Sequence, residues 1–204
     1  MASEDLDLVA LICSRLCHDL AGSIGAVNNG VELLAEETDA AMREEAIGLV
    51  AQSASDAARR LSFFRMALGA SGGAGDPMGF GELARVAKDY FSGGKLSLLL
   101  PALDEPLPKP LGKALLLGLW LAASALPRGG SLSLTKDGSG WLIRAEGTTV
   151  RWQEAVAAGF SDTAMLPPEP QAAIARYARR LAESAGCRLK TDVRDTGVAL
   201  SFIK

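Results

Sequence analysis

The 204-residue chain contains one histidine, His18, and the residue after it is a carboxylate, Asp19. An imidazole can ligate a metal, move a proton, or act as a nucleophile near neutral pH. Metal ligation fits poorly. Cys13 and Cys17 share a helical stripe that His18 does not, and their spacing matches neither zinc-site nor haem-attachment patterns. A Ser-His-Asp hydrolase needs convergent loops and an oxyanion site, which neighbours on one helix do not supply. Phosphoryl carriage remains: a neutral ring nitrogen takes the group, and the N–P bond is labile enough to pass it on. Asp19 could orient or deprotonate the ring, or only meet solvent, because adjacent helix positions point about 100° apart. Arg15, one turn back, could hold a phosphate oxygen or stay a solvated charge. Against all of this stands a histidine that is merely structural.

The element carrying His18 must be a long helix. From about Leu6 to Ala35 there is no proline, and Cys13, Cys17, Leu20, Ile24, Val27, Val31 and Leu34 step alternately by 4 and 3. That is a heptad seam, and Cys13 and Cys17 read as small core residues within it. His18 falls one residue past the seam, so it should flank the core. Ser14, Arg15, Ala21, Gly22 and Gly25 share its face. Each of the two glycines costs a helix about 1 kcal/mol relative to Ala. They either clear a surface for an approaching protein or permit close helix packing. Glu36-Glu37-Thr38-Asp39 breaks the pattern, with Thr38 or Asp39 available as a cap. A second helix follows from about Ala41 to Leu68, with the seam Ile47, Val50, Ala54, Ala57, Leu61, Phe64, Leu68. Two helices of about 28 residues, each about 42 Å long, form an antiparallel hairpin. Its uncovered apolar flank is most economically buried in a homodimer with a four-helix bundle.

Glycines at 69, 72, 73 and 75, closed by Pro77, read as a linker, dividing the chain into 1–72 and 77–204. Beyond it the expected order is a helix over Phe80–Phe91 and a strand over Lys95–Leu100. A proline-rich loop over Pro101–Pro110 and an apolar helix over Leu111–Leu126 come next. A hairpin pairs Ser131–Thr135 with Trp141–Ala145 around Asp137-Gly138-Ser139-Gly140. A short helix spans Arg151–Gly159, and another runs from Pro167 to Ala185. A last hairpin joins Cys187–Val193 to Val198–Ile203. The fold class is therefore α plus α/β: a helical hairpin followed by a two-layer α/β sandwich.

The net charge of −3, without basic clustering, argues against a nucleic-acid partner. Three cysteines without framework spacing suit a reducing, cytoplasmic setting. The acidic N-terminus does not read as a signal peptide. The longest apolar run, Ala114–Leu126, is shorter than the about 20 residues that span a bilayer, so no membrane association is expected.

A His-Asp pair on the first helix of a hairpin, then a linker and an α/β sandwich, resembles the histidine-kinase architecture: a dimerisation and phosphotransfer hairpin followed by a kinase-ATPase-like domain. More closely, Leu16-Cys17-His18-Asp19-Leu20, Asn28-Asn29-Gly30-Val31-Glu32-Leu33-Leu34 and Ala125-Leu126-Pro127-Arg128-Gly129-Gly130 resemble the ChpT-type histidine phosphotransferases of cell-cycle phosphorelays. The chain departs from active kinases where ATP would bind. The helix over Leu111–Leu126 lacks the kinase asparagines. Glu146-Gly147-Thr148-Thr149-Val150 stands where kinases carry Asp-x-Gly-x-Gly, and Pro167-Pro168-Glu169-Pro170-Gln171 replaces their second glycine-rich box. Ser23 stands where many kinases have a kinking proline.

The resemblance implies that His18, with Asp19, relays a phosphoryl group from the receiver aspartate of a hybrid kinase to that of a response regulator. It implies no stably bound cofactor and no metal of the chain's own, the Mg²⁺ being supplied by the partner receiver. Receiver docking is expected over Arg15, Leu16, Gly22, Ile24 and Asn28, with Phe63 and Phe64 either joining them or serving as core. A diverged ATP-dependent kinase and a non-enzymatic dimeric adaptor for receivers are the alternatives.

Overall fold

The computed structural model describes residues 2–69, 76–138, 140–161 and 165–204. The expected linker falls mainly on 70–75, and the expected turn residue Ser139 also lies outside the described residues.

Two antiparallel helices open the chain, α1 (Ala2–Glu36) and α2 (Ala40–Leu68). Their turn is built from polar satisfaction. The Asp39 carboxylate caps α2 by accepting the Met42 N–H at 3.0 Å. The Glu37 carboxylate accepts the N–H groups of Asp39 and Thr38 at 2.9 and 2.8 Å. Those bonds hold its pKa below the usual carboxylate value. Arg43 donates to the carbonyls of Leu34 and Glu37 at 2.6 and 2.8 Å, satisfying acceptors that the end of α1 leaves open.

Each expected seam divides into two lines. On α1, Leu20, Val27 and Leu34 turn inward and are partly buried, whereas Cys13, Cys17, Ile24 and Val31 are exposed. On α2, Val50, Ala57, Phe64 and Leu68 turn inward, whereas Ile47, Ala54 and Leu61 are exposed. The reading of Cys13 and Cys17 as core residues is thus corrected: both thiols face outward. Close packing inside the hairpin uses Gly30, where a Cβ would lie 2.4 Å from Val50 Cγ2.

The rest of the chain forms a second layered unit. Strand β1 (Met78–Gly79) leads into α3 (Phe80–Phe91), then β2 (Leu96–Leu99), β3 (Pro106–Leu107) and α4 (Lys109–Ser124). Strands β4 (Gly130–Asp137) and β5 (Gly140–Glu146) form a hairpin. Helices α5 (Glu154–Phe160) and α6 (Pro170–Ser184) come next, and β6 (Arg188–Arg194) and β7 (Gly197–Ile203) close the chain. The five-stranded sheet has the order β2-β4-β5-β7-β6, with β2 parallel to β4 and every other pair antiparallel. The proline-rich segment is not wholly loop. Pro106 and Leu107 pair with Gly79 and Met78, because Pro106 sits in a two-strand ribbon where its missing N–H is tolerated.

Alternation places Leu132, Leu134, Trp141, Ile143, Ala145, Val198, Leu200 and Phe202 on the covered face of the sheet. Helix α4 lies on that face, with every residue from Leu111 to Ala123 buried. Gly118 allows the approach, since a Cβ there would come within 2.8 Å of Ile143 Cδ1 and 3.1 Å of Phe202 Cζ.

One apolar core crosses from this unit into the hairpin. Phe63, Phe64 and Ala67 of α2 are buried in it, and Ile12, Leu16 and Leu20 of α1 pack against it. At the start of α1, Glu4 meets Arg176 of α6 at 3.1 Å and Asp5 meets Arg180 at 2.8 Å. Residues Glu4–Glu36 are long and apolar enough to cross a membrane by length and composition alone. They also carry Arg15, His18, Asp19, Asn28 and Asn29, and their inner face packs on protein. The apolar content of α1 is therefore read as packing surface.

Candidate functional site

Arg15 and Asp19 lie one turn apart on α1, a spacing that puts both on one face. The Arg15 Nε–H donates to Asp19 Oδ2 at 3.0 Å. The other carboxylate oxygen, Oδ1, stands 3.1 Å from His18 Nδ1. The Asp19 side chain is only 7% exposed, whereas that of His18 is 80% exposed. A carboxylate only accepts hydrogen bonds, so in the neutral ring this contact places the proton on Nδ1 and the lone pair on the outward Nε2. Asp19 therefore does not simply meet solvent. It is held between a guanidinium and the ring it orients.

Arg15 is held as well. Its guanidinium lies over the Trp120 ring, 5.3 Å from the centroid. With Nε on Asp19 and its face on an indole, Arg15 is not the freely solvated charge that one reading allowed. Trp120 belongs to α4, so the second unit reaches to within two side chains of the imidazole.

The space expected around His18 is present. A Cβ at Gly22 or Gly25 would meet nothing within 4 Å, which selects the cleared surface over close packing inside this chain. Asn28 is exposed, and its side-chain amide donates to Glu32 Oε1 at 2.8 Å. Leu16 is partly buried against the core. Ile24 is 57% exposed, but it belongs to the line of Cys17 and Val31, about 120° round the helix from His18. Phe63 and Phe64 are corrected: at 0% and 3% exposure they offer no docking surface. They are consumed in an aromatic cluster, with Phe63 4.2 Å from Tyr90 and Phe64 5.3 Å from Trp120 between ring centroids.

Two residues of the surroundings escaped the sequence reading, Trp120 and Tyr90. The only sequence signal is an indole among the Leu, Ala and Gly of α4, which burial in the core explains equally well. Tyr90 has its phenol pKa pushed up to about 12, first by burial and also by the Asp19 carboxylate, against the Arg60 and Arg15 charges and the Trp120 side chain. Among the described residues, no group of three or more His, Cys, Asp or Glu side chains could hold a metal ion.

Residues 80–197 match the family described as the histidine phosphotransferase C-terminal domain. The chain belongs to the histidine phosphotransferase family. It is 38% identical over 191 residues to the protein phosphotransferase ChpT of Brucella abortus (strain 2308), covering 90% of this chain and 89% of that protein. A solved bacterial phosphotransferase superposes with a TM-score of 0.85 at 35% identity, over 97% of this chain and 96% of the other. The histidine kinase domain of a blue-light-activated kinase from Erythrobacter litoralis is more distant, with a TM-score of 0.44 at 13% identity, over 89% of this chain and 93% of that one. The expected helical hairpin plus α/β sandwich, and the resemblance to ChpT-type phosphotransferases, are thus borne out.

Proposed function

We propose that this phosphotransferase relays a phosphoryl group between two receiver domains through Nε2 of His18. The Nε2 lone pair attacks phosphorus in the aspartyl phosphate of a hybrid kinase's receiver. The N–P bond forms as the bond from phosphorus to the aspartyl oxygen breaks, and the freed carboxylate keeps the electron pair. The phosphorylated ring then carries positive charge with its proton still on Nδ1, and Asp19 stabilises that charge. Transfer to the response regulator's receiver runs the same steps in reverse. Mg²⁺ belongs to the receiver's acidic pocket, and the protein's own work is positioning and charge stabilisation. The observation that carries this reading is an imidazole fixed by a buried carboxylate through one nitrogen and open at the other.

A receiver approaching Nε2 would dock over Gly22 and Asn28, with Leu16 at the edge. The domain units are 1–72 and 77–204, acting in the cytoplasm away from membranes. We further propose that a second copy of the chain covers the outward lines of the hairpin, giving a dimeric four-helix bundle. Cys17, Ile24 and Val31 on α1 and Ile47, Ala54 and Leu61 on α2 are all exposed and recur every seven residues. The antiparallel pairing at Gly30 and Val50 puts the two lines level with each other, as one face of a bundle needs. Transfer proceeds without ATP, consistent with the absence of asparagine from α4 and of glycine-rich boxes after β5 and before α6.

The test mixes a phosphorylated upstream receiver, the protein and a downstream receiver. Label should pass through an acid-labile intermediate on the protein, and His18→Ala should abolish it. Label that still reaches the downstream receiver through His18→Ala would sink the proposal. Micromolar binding in a calorimetric titration with Mg-ATP would favour a diverged kinase. Receiver binding without phosphorylation of His18 would favour an adaptor.

A further inference from the structure

The second unit does more than stand beside the hairpin. Asp19 orients His18, Arg15 holds Asp19, and the guanidinium of Arg15 rests on a ring from α4. These contacts link one rigid helix to the exposed imidazole in three steps. The first step is firmly seated. Trp120 is 8% exposed, packs edge-on against Phe64 at 5.3 Å and Phe63 at 6.4 Å, and sits on a helix whose neighbouring side chains are all buried. The middle step is shielded, with Arg15 24% and Asp19 7% exposed at the side chain. Shielding strengthens both the ion pair and the cation–π contact relative to bulk water. Only the last group, His18, is open.

We propose that Trp120 is a positioning residue for His18: by fixing the Arg15 guanidinium it holds Asp19, and Asp19 in turn keeps the proton of the imidazole on Nδ1. The inference rests on His18 as the phosphoryl carrier for its consequence in rate, but not for its consequence in ring structure. It gives the kinase-like unit a role that needs no nucleotide. A free Arg15 side chain samples several rotamers, and an unpaired Asp19 would lose its preferred geometry toward Nδ1. Tyr90 completes the seat, its ring against Phe63 at 4.2 Å and Phe64 at 6.2 Å.

The chain holds a single histidine, so its ring nitrogens can be read without ambiguity by ¹⁵N-resolved NMR of the full protein. At mildly alkaline pH, Trp120→Leu should raise the population of the Nε2–H tautomer. It should also slow transfer from a phosphorylated receiver by about fivefold, the scale of one lost partly desolvated cation–π contact. Trp120→Phe keeps a ring face under the guanidinium and should restore both readouts toward the parent protein. Arg15→Gln provides a second variant at a half-buried position, should Trp120→Leu fail to fold. It should reproduce the tautomer shift without disturbing the core around α4. An unchanged tautomer ratio in both Trp120→Leu and Arg15→Gln, whatever happens to melting temperature, would overturn the proposal and leave Trp120 as core. A tautomer shift accompanied by transfer that survives His18→Ala would uphold the positioning and refute the carrier role.

Discussion

Helices α1 and α4 are both strongly apolar, and they meet opposite fates. Helix α4 buries every side chain from Leu111 to Ala123 within its own chain. Helix α1 leaves Leu6, Val9, Ile24, Val31 and Leu33 at least 42% exposed. Their glycines differ in the same way. Gly118 admits a sheet to within van der Waals contact, whereas Gly22 and Gly25 face open space. Apolar composition thus says that a helix will be covered, but not by what. Spacing decides: α4 is apolar on nearly every side, Lys113 being the buried exception, and suits a buried site between layers, while α1 carries two separate lines, one for its own chain and one left over.

The comparison can be broken at several points. The largest effect is expected from Ile24→Glu combined with Leu61→Glu, which puts one charge into the outward line of α1 and one into that of α2. In analytical ultracentrifugation the variant should sediment as a monomer and the parent as a dimer. A monomeric parent would leave the α1 line without its proposed cover. Next comes Gly118→Leu, which forces a side chain into the α4–sheet contact. Overpacking there should cost about 3 kcal/mol in denaturant unfolding, and a neutral result would show that α4 is not tightly seated.

The aromatic seat between the two helices gives a pH-dependent test. The Tyr90 pKa is raised from 10.0 to about 12 in the folded protein, so the native state holds its proton where the unfolded state releases it. The resulting stability is present below pH 10 and lost as pH climbs through 12. The difference in unfolding free energy between the parent and Tyr90→Phe should therefore change by about 3 kcal/mol across that window. A constant difference would mean that the phenol is not buried. The smallest effect belongs to Gly22→Ala. With nothing within 4 Å of its new methyl, it should stabilise α1 by about 1 kcal/mol. In calorimetry against a receiver, the same methyl should weaken docking.

The same contrast explains what was legible beforehand. Local signals named the elements well. The break at Glu36–Asp39 lies where α1 ends and α2 is capped, and the helix expected over Phe80–Phe91 matches α3 to the residue. All five strands of the main sheet lie where the sequence places them, each bounded within two residues. The ribbon at Pro106–Leu107 was missed because a two-residue strand carries no period and prolines argue against pairing. The His18–Asp19 pair was legible because adjacency is local. The Arg15–Trp120 contact was not, since it joins residues more than a hundred positions apart through a core whose register no periodicity encodes. Phe64 was placed in the seam, yet the partners that bury it, Tyr90 and Trp120, belong to the other unit.

The central claim is that the open nitrogen of His18 carries the phosphoryl group. It is tested most directly by incubating the protein with a receiver phosphorylated on its aspartate and locating the label by ³¹P–¹H correlation NMR. The account predicts a phosphoramidate on Nε2 of His18, with the ring proton on Nδ1, that disappears when a second receiver is added. Label on any other residue, on Nδ1, or in a form that a second receiver cannot discharge would contradict it.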